Sequence, residues 1–326
     1  MTPGPPGERA APVRMAVVGV GHLGRQHARV AARTPGVALV GVHDRHTDRA
    51  EDVARAEATV ALRRREDVAE TAEAVVVATP TVSHAELAAF FLERGLHVLV
   101  EKPMASSLSE AEVLVALARS RGRVLEVGHV ERYNPAVEAA LGRLGSPLFI
   151  EGHRLAAPTA RSLDIDVVLD LMIHDLQIVD ALVRRPVREV RAAGMPVLTD
   201  RVDIANARLE FEGGCVANLT ASRVSTEPMR KLRIFAPPLY CSIDMHARSV
   251  AAHRLVREGG QPGVIEEPIP VPPSDPLGRE IADFAAAVRG GGGPVVTGES
   301  GRDALALAER VREAIERHRA GAEVPA

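Results

Sequence analysis

Residues 15–30 read MAVVGVGHLGRQHARV, and this short stretch decides the fold. Four apolar residues, Met15 to Val18, lead into a turn with the pattern GxGxxG, and a helix-forming run follows the turn. A strand, a glycine-rich turn and a helix in this order are typical of the first βαβ unit of a dinucleotide-binding fold. The pattern alone is weak evidence, but its place between strand and helix strengthens it.

Each glycine of the turn has a separate physical task. Gly19 permits the tight turn, Gly21 lets the backbone approach a pyrophosphate, and Gly24 lets the helix pack against the strand. With His22 and Leu23 they form the predicted phosphate site, because the N-terminus of a helix offers unpaired N–H groups and a partial positive charge.

Asp44 ends the second predicted strand, about twenty residues after the last glycine of the turn. A carboxylate at this place accepts hydrogen bonds from the ribose hydroxyls of the adenosine and repels a 2′-phosphate. Arg45 is adjacent, and an arginine can hold that phosphate. The sequence therefore predicts NAD as the cofactor and leaves NADP possible.

Strands alternate with helices from residue 13 to residue 129, which predicts a parallel sheet with right-handed crossovers. Strands are expected at 15–18, 37–44, 59–62, 72–80, 97–103 and 123–129.

Loops at the carboxyl ends of these strands should line the cofactor crevice. Thr79 and Pro80 follow one strand, and Glu101 and Lys102 end the next. These four residues are predicted to contact the cofactor. His84 is a weaker candidate, since a capping or surface role explains it equally well. A lysine at the end of a buried strand is unusual unless it is paired or functional.

The pattern changes near residue 130. Most of the remaining chain is a series of consecutive strands, with residues 212–214 as a hairpin turn, and this predicts a mostly antiparallel sheet. We therefore expect an α/β protein with a disordered tail (1–12), a Rossmann domain (13–129) and a C-terminal α+β domain (130–326). The helices of this second domain should be segregated to one face of its sheet.

A helix predicted within residues 167–182 is apolar on nearly every face, yet it contains Asp170 and His174. These two residues are four apart and share one face. A core histidine satisfied by a carboxylate explains the pair, as does an acid/base pair in a cleft between the domains. For the second explanation, His174 is the base, Asp170 orients it or contacts substrate, and Lys102 stabilises an alkoxide or relays a proton.

Composition excludes several classes of protein. A net charge of −3 and an aromatic content of 2% argue against a nucleic-acid binder. Cys215 and Cys241 lie far apart and predict neither a disulfide framework nor a metal site. No apolar run has membrane-spanning length and no signal peptide is evident, so we expect a cytoplasmic protein without a membrane partner.

Four segments resemble the Gfo/Idh/MocA oxidoreductase family: GVGHLG, EKP at 101–103, GHVERYNPA at 128–136 and DLMIHD at 170–175. The resemblance covers nearly the whole chain and implies a Rossmann domain followed by an open-faced sheet. It implies that Lys102 and His174 are the catalytic pair and that the bond before Pro103 is cis. It also implies dimers or tetramers formed through the C-terminal sheet.

Residues 161–175, 202–211 and 215–235 are similar to a bacterial subgroup associated with lipid A sugar modification, the UDP-N-acetylglucosamine 3-dehydrogenases. That resemblance implies oxidation of the 3-hydroxyl of a nucleotide sugar. Arginines suit a diphosphate, so Arg154, Arg161 and Arg223 are predicted to bind substrate. Tyr133 and Asn134 are expected near the nicotinamide or the substrate.

Three alternatives stay open at this point. A dehydrogenase of a free sugar or an inositol-like polyol has the same motifs. A glycosidase that uses NAD as a transient oxidant is not separated by sequence. A non-catalytic NAD(P)-binding sensor would be expected to lose Lys102 or His174, and both are present.

Overall fold

The computed structural model describes residues 11–158, 165–259 and 261–321. The chain divides into two compact units. The N-terminal unit contains the described residues of 1–106, 110–128 and 277–297. The C-terminal unit contains those of 107–109, 129–276 and 298–326.

The N-terminal unit is built around a five-stranded, all-parallel sheet with the order β2-β1-β3-β4-β5. Its strands are β1 (Val13–Val18), β2 (Val37–His43), β3 (Ala74–Val77), β4 (His97–Glu101) and β5 (Leu125–Gly128). Its helices are α1 (His22–Ala31), α2 (Thr47–Ala56), α3 (Arg65–Thr71), α4 (His84–Glu93) and α5 (Leu108–Arg121).

Short, uniformly apolar strands explain why this sheet is parallel. All four residues of β3 are buried, as expected of a strand that is covered by helices on both faces. The strand predicted at 59–62 does not form a full partner. The segment meets β2 through an isolated bridge between Val42 and Ala61. Val42 is the one residue of β2 whose backbone forms hydrogen bonds with the backbone of this segment.

The strand order reverses at β1, which has β2 on one side and β3 on the other. In open α/β sheets, ligands bind outside the carboxyl ends of the strands at such a switch point. Two backbone hydrogen bonds fix the chain there. The N–H of Gly19 donates to the carbonyl oxygen of His43, and the N–H of Ala78 donates to that of Val18, each at 2.8 Å.

The C-terminal unit contains an eight-stranded sheet with the order β13-β12-β11-β10-β6-β9-β8-β7. Neighbours are antiparallel except for β6 and β9, which are parallel. Its strands are β6 (Phe149–Leu155), β7 (Val187–Met195), β8 (Ile204–Phe211), β9 (Val216–Ser222), β10 (Met229–Ala236), β11 (Leu239–Asp244), β12 (Ser249–Glu258) and β13 (Gln261–Glu266). Four further α-helices lie in the part of the chain that the structure describes: α6 (Pro135–Leu141), α7 (Ile173–Val183), α8 (Pro276–Val288) and α9 (Gly298–Gly321).

This architecture confirms the predicted fold class, a parallel Rossmann-type sheet followed by a mostly antiparallel one. The predicted hairpin at 212–214 joins β8 to β9, and Gly213 and Gly214 both adopt positive φ there. Cys215 and Cys241 are buried, as expected for small apolar residues, and burial raises the pKa of both thiols to about 11.

One face of the eight-stranded sheet forms the core of its unit. Leu219, Leu232 and Ile234 point to this face and pack with residues of α7 and α9, such as Leu176 and Ile315. Side chains at alternate positions of the same strands point the other way, which is the in–out pattern of a sheet packed on one side.

Helix α8 belongs to a different unit from the one that the sequence predicts. The sequence places it in the second domain, but residues 277–297 group with the N-terminal unit. The reason is its apolar stripe: Ile281 and Phe284 are fully buried and pack in one core with Met15, Val17 and Val76. The segment also extends to β5, where the N–H of Val127 donates to the carbonyl oxygen of Val296 at 3.1 Å.

In the described ranges, no helix combines the length and the apolar character needed to cross a membrane.

The place of α8 can be tested with Phe284→Ala. Removing a fully buried phenylalanine costs about 3–5 kcal/mol of unfolding free energy. Hydrogen exchange should accelerate in β1 and β3 and stay unchanged in β8 and β9. Val295→Ala, a truncation of a half-exposed residue in the same segment, is the control and should change little. Faster exchange confined to β8 and β9 would contradict the grouping.

Candidate active site

The glycine-rich turn between β1 and α1 has no room for side chains at two of its three glycines. Gly19 has φ of +83°, and a Cβ there would lie 2.6 Å from Cγ2 of Thr79. A Cβ on Gly24 would lie 1.7 Å from the carbonyl oxygen of Gly19. A Cβ on Gly21 would meet nothing within 4 Å, so the backbone there is open to a ligand. This is the arrangement that a pyrophosphate needs.

Asp44 is fixed beside this turn by two backbone donors. The N–H of Val20 donates to Oδ2 at 2.8 Å, and the N–H of His46 donates to Oδ1 at 2.9 Å. A carboxylate has about four acceptor sites, so it can still accept from ribose hydroxyls. Arg45 is exposed beyond it and contacts the ring of His46, with Nε to Nε2 at 3.2 Å.

Thr79 and Pro80 lie at the carboxyl end of β3, beside the turn. The hydroxyl of Ser83 donates to Oγ1 of Thr79 at 2.8 Å, which holds the threonine side chain in place. Pro80 is exposed, as is Leu23 at the start of α1. His22, at the first position of α1, is also exposed. These residues lie at the carboxyl edge of the sheet beside the switch point, and their contact with a cofactor stays a prediction.

His84 is placed differently from the prediction. Its side chain is only 1% exposed, and both ring nitrogens lie at hydrogen-bond distance from backbone carbonyl oxygens, those of Thr79 and Pro103. The structure therefore gives this imidazole two partners inside the protein.

Glu101 and Lys102 end β4 at the same edge of the sheet. Glu101 is buried, and its carboxylate lies 2.7 Å from Nε2 of His27 and 3.2 Å from the N–H of Lys102. Burial alone would raise the pKa of Glu101, but the hydrogen bond and charge of His27, with the charge of Lys102, lower it overall. Lys102 is half-buried, and the Lys102–Pro103 bond is cis, which confirms that expectation.

Two more buried carboxyl groups belong to the N-terminal unit. Glu126 lies on β5 and Glu280 on α8, and both are completely buried. Neither oxygen of Glu280 has a hydrogen-bond partner among the described residues. Burial, together with the negative charges of Glu101 and Glu126, raises the pKa of Glu280 well above its ordinary value.

His174 begins its helix after an irregular turn. Val168–Met172 is π-helical, α7 follows from Ile173, and Asp170 lies within the π-turn. Single π-turns occur frequently at functional sites. Both Asp170 and His174 are half-buried. The ring of His174 meets the ring of the buried His129 edge to face, with centroids 5.7 Å apart and planes at 89°.

Arg154 holds this helix from the side. Its Nε and Nη2 donate to the two carboxylate oxygens of Asp175 at 3.0 and 2.7 Å, and its Nη1 donates to Glu131 at 3.0 Å. Burial alone would lower the pKa of Arg154, but the charges of Asp175 and Glu131 raise it. All three guanidinium nitrogens have protein partners, so Arg154 joins β6 to α7 next to His174.

The other predicted substrate residues have different surroundings. Tyr133 is buried. Asn134 caps α6 by accepting from the N–H of Ala136 at 3.1 Å, and its amide nitrogen donates to the carbonyl oxygen of Met245 at 2.9 Å. Arg223 is buried and donates to the carbonyl oxygen of Ile165 at 2.8 Å. Arg161 lies outside the described residues.

Within the described ranges, no group of three or more His, Cys, Asp or Glu side chains could hold a metal ion.

Two family models match the chain. Residues 13–129 match the model described as an oxidoreductase family with an NAD-binding Rossmann fold, and residues 140–236 match the C-terminal domain model of the same family. Together they cover more than half of the chain. The chain belongs to the Gfo/Idh/MocA family. It is an oxidoreductase, and the resemblance predicted from its motifs is confirmed.

Among curated relatives in this family, the UDP-N-acetylglucosamine 3-dehydrogenase of Acidithiobacillus ferrooxidans is 38% identical over 309 residues. The alignment covers 93% of this chain and 97% of that protein. A crystal form of a protein of that name from the same organism matches with a TM-score of 0.88 and 37% identity, covering 94% of this chain and 98% of that one. The scyllo-inositol 2-dehydrogenase (NAD(+)) of Bacillus subtilis is 32% identical over 235 residues, or 65% of this chain and 68% of that protein.

NAD is the cofactor of this Gfo/Idh/MocA member, and the nucleotide site fits it. The open backbone at Gly21 suits the pyrophosphate, and the fixed carboxylate of Asp44 suits the ribose hydroxyls. The start of α1 faces the same turn and supplies the N–H groups of a helix N-terminus.

Sequence reasoning missed His27, Glu280 and the ring contact between His129 and His174. His27 had a signal, because Gly24, His27, Ala28 and Ala31 have the spacing of a buried helix face. A histidine on that face needs a buried partner, and Glu101 provides it. The burial of Glu280 had no such signal, since it depends on which unit α8 joins.

The role of Asp44 can be tested with Asp44→Ala. Loss of charged hydrogen bonds worth about 1.5–3 kcal/mol should weaken NAD binding roughly 10- to 100-fold, and NADP binding less. Calorimetric titration with both nucleotides measures the difference. Asp48→Ala, on the exposed first turn of α2, is the matched control and should bind NAD normally. Equal losses for NAD and NADP would remove Asp44 from cofactor selection.

Proposed function

We propose that this protein is an NAD-dependent dehydrogenase that oxidises the 3-hydroxyl of a nucleotide sugar of the UDP-N-acetylglucosamine type. The observation behind the proposal is the full-length relationship. The dehydrogenase of Acidithiobacillus ferrooxidans aligns over nearly its whole length, in both units and not only in the nucleotide-binding one.

The proposed chemistry uses a bound cofactor and three side chains. NAD accepts a hydride when it is bound. His174 takes the hydroxyl proton, because an imidazole with a pKa of about 6.5 suits a general base at neutral pH. Lys102 stabilises the negative charge that develops on the substrate oxygen or relays the proton, and Asp170 orients His174 or contacts the sugar.

The cofactor contacts proposed for the N-terminal unit follow its geometry. They comprise Gly19, Gly21, His22, Leu23, Gly24, Asp44, Arg45, Thr79, Pro80, Glu101 and Lys102. Glu101 is buried, contacts His27 and accepts a hydrogen bond from the backbone N–H of Lys102. We therefore propose that Glu101 supports Lys102. Arg45 is exposed beside Asp44, which leaves NADP as a second, weaker cofactor.

For the substrate contacts we retain Tyr133, Asn134, Arg161 and Arg223 as predictions. Arg154 is different, because its guanidinium is buried and bonded to Asp175 and Glu131. We propose a positioning role for Arg154 in place of the predicted substrate contact.

A dehydrogenase of an inositol-like polyol is the second candidate. Its support is the 32% identity to the scyllo-inositol 2-dehydrogenase of Bacillus subtilis, which covers 65% of this chain. The nucleotide-sugar relative is more similar and covers more of the chain, so we rank it first. A place in lipid A assembly and a cytoplasmic location stay predictions from the sequence.

We also propose that the protein self-associates through the outer face of its eight-stranded sheet. Four rings form a row across β6, β10, β11 and β12: Phe149, Phe235, Tyr240 and His253, with successive centroids 5.8, 4.8 and 6.1 Å apart. Phe235 is 39% exposed in a chain with only six phenylalanines and two tyrosines. The other three rings are half-buried, and a partly exposed row of aromatic rings is typical of a protein interface.

The substrate proposal is tested by mixing the purified protein with NAD and UDP-N-acetylglucosamine and following NADH absorbance. We expect NADH to form with this sugar nucleotide and not with scyllo- or myo-inositol. NADH formation with an inositol alone would reject the nucleotide-sugar proposal and support the second candidate.

The base is tested with His174→Ala. We expect kcat to fall by about 10²- to 10⁴-fold, since that is the usual contribution of a general base, while NAD affinity stays unchanged. His246→Ala, which removes an exposed imidazole in the turn after β11, is the control and should keep full activity. If His174→Ala lowers NAD affinity and kcat together, the histidine is structural.

The interface is tested with Phe235→Glu and analytical ultracentrifugation. We expect the unaltered protein to sediment as a dimer or tetramer and the variant as a smaller species, because the charge is buried without a partner. Val113→Glu, at an exposed position of α5, should leave the mass unchanged. An unaltered protein that sediments as a monomer would rule out self-association.

A further inference from the structure

His84 lies at the carboxyl edge of the parallel sheet, as the first residue of α4. Its Nδ1 is 2.9 Å from the carbonyl oxygen of Pro103, and its Nε2 is 2.8 Å from the carbonyl oxygen of Thr79. One ring therefore bridges two loops that are far apart in sequence. The first follows β3, and the second follows β4 and contains Lys102.

The chemistry of the two contacts restricts the ring. A carbonyl oxygen only accepts hydrogen bonds, so each contact requires a hydrogen on the ring nitrogen. A neutral imidazole has one N–H and one lone pair, and the lone pair would face a carbonyl oxygen. Both contacts are satisfied only when both nitrogens donate. A buried ring nitrogen whose lone pair faces a carbonyl oxygen costs free energy, in the same way as an unsatisfied polar group.

We propose that His84 is a positioning residue whose doubly protonated ring clamps the Thr79 loop to the Lys102–Pro103 segment. The clamp holds the nucleotide-binding edge and the reactive lysine in one fixed arrangement. Its effect on turnover rests on the proposed role of Lys102, whereas its effect on NAD binding does not.

Two further contacts extend the clamp. Thr79 packs against the glycine-rich turn so closely that a Cβ on Gly19 would lie 2.6 Å from its Cγ2. A shift of the Thr79 loop therefore moves atoms against the turn. On the other side, the positive charge of His84 is one of the influences that lower the pKa of Glu101, the residue before Lys102.

The clamp is tested with His84→Gln and His84→Ala. Glutamine has both its donor hydrogens on one nitrogen. It therefore cannot donate to the two carbonyl oxygens that lie on opposite sides of the histidine ring. We expect NAD affinity, measured by calorimetry without sugar, to fall at least about 10-fold in both variants, as loss of a charged hydrogen bond predicts. The kcat should fall further, and the KM for the sugar should change little.

A matched control separates clamping from general stability. His97 is another histidine of this unit with a backbone partner, since its Nδ1 accepts from the N–H of Val124 at 3.0 Å. It begins β4, so it lies at the opposite edge of the sheet from Lys102. His97→Gln should lower the unfolding midpoint and leave NAD affinity intact. Equal losses of NAD affinity in His97→Gln and His84→Gln would overturn the proposal.

The protonation of the ring is tested directly by nitrogen NMR of histidine-labelled protein at neutral pH. The His84 signals are assigned by their disappearance in His84→Gln. Two protonated ring nitrogens with similar shifts are expected. One protonated nitrogen and one widely separated, unprotonated nitrogen would refute the two-donor clamp. Neither this result nor NAD affinity depends on the substrate, so failure of the clamp is distinguishable from failure of the proposed function.

Discussion

The close contact between Gly24 and the carbonyl oxygen of Gly19 is the constraint on which the nucleotide site depends. A Cβ at Gly24 would lie 1.7 Å from that oxygen, a separation that no adjustment of a side chain relieves. Because the first turn of α1 lies directly over the end of β1, the helix N-terminus faces the carboxyl edge of the sheet. The strand order then brings the ends of β1 and β3 side by side.

The parts of the site that the sequence predicts are those encoded locally. The glycine turn, Asp44 and Lys102 each follow an apolar strand, and the ends of parallel strands share one edge. The parts that it does not predict depend on contacts between distant segments. His27 meets Glu101 across 74 residues, and Arg154 meets Asp175 across 21. The division into units also depends on such contacts, because the apolar stripe of α8 fits either core as far as sequence shows.

The arginines illustrate why residue type alone does not establish a binding site. The sequence favours Arg154 and Arg223 as phosphate ligands, because a guanidinium suits a phosphate. A guanidinium suits a carboxylate or a backbone carbonyl equally well, and the structure gives these residues such partners. Support for a nucleotide sugar therefore comes from similarity along both units rather than from these two arginines.

Buried charge in this protein is arranged around residues that the proposed reaction uses. Glu101 pairs with His27 next to Lys102, and Asp175 pairs with Arg154 next to His174. Such pairs add little net stability, since desolvation offsets much of their attraction, but removing one partner costs about 3–5 kcal/mol. That asymmetry penalises displacement of either member. The pairs therefore act mainly on position: each holds the backbone of the neighbouring reactive residue in one place, as two donors on the ring of His84 would do for the loop after β4.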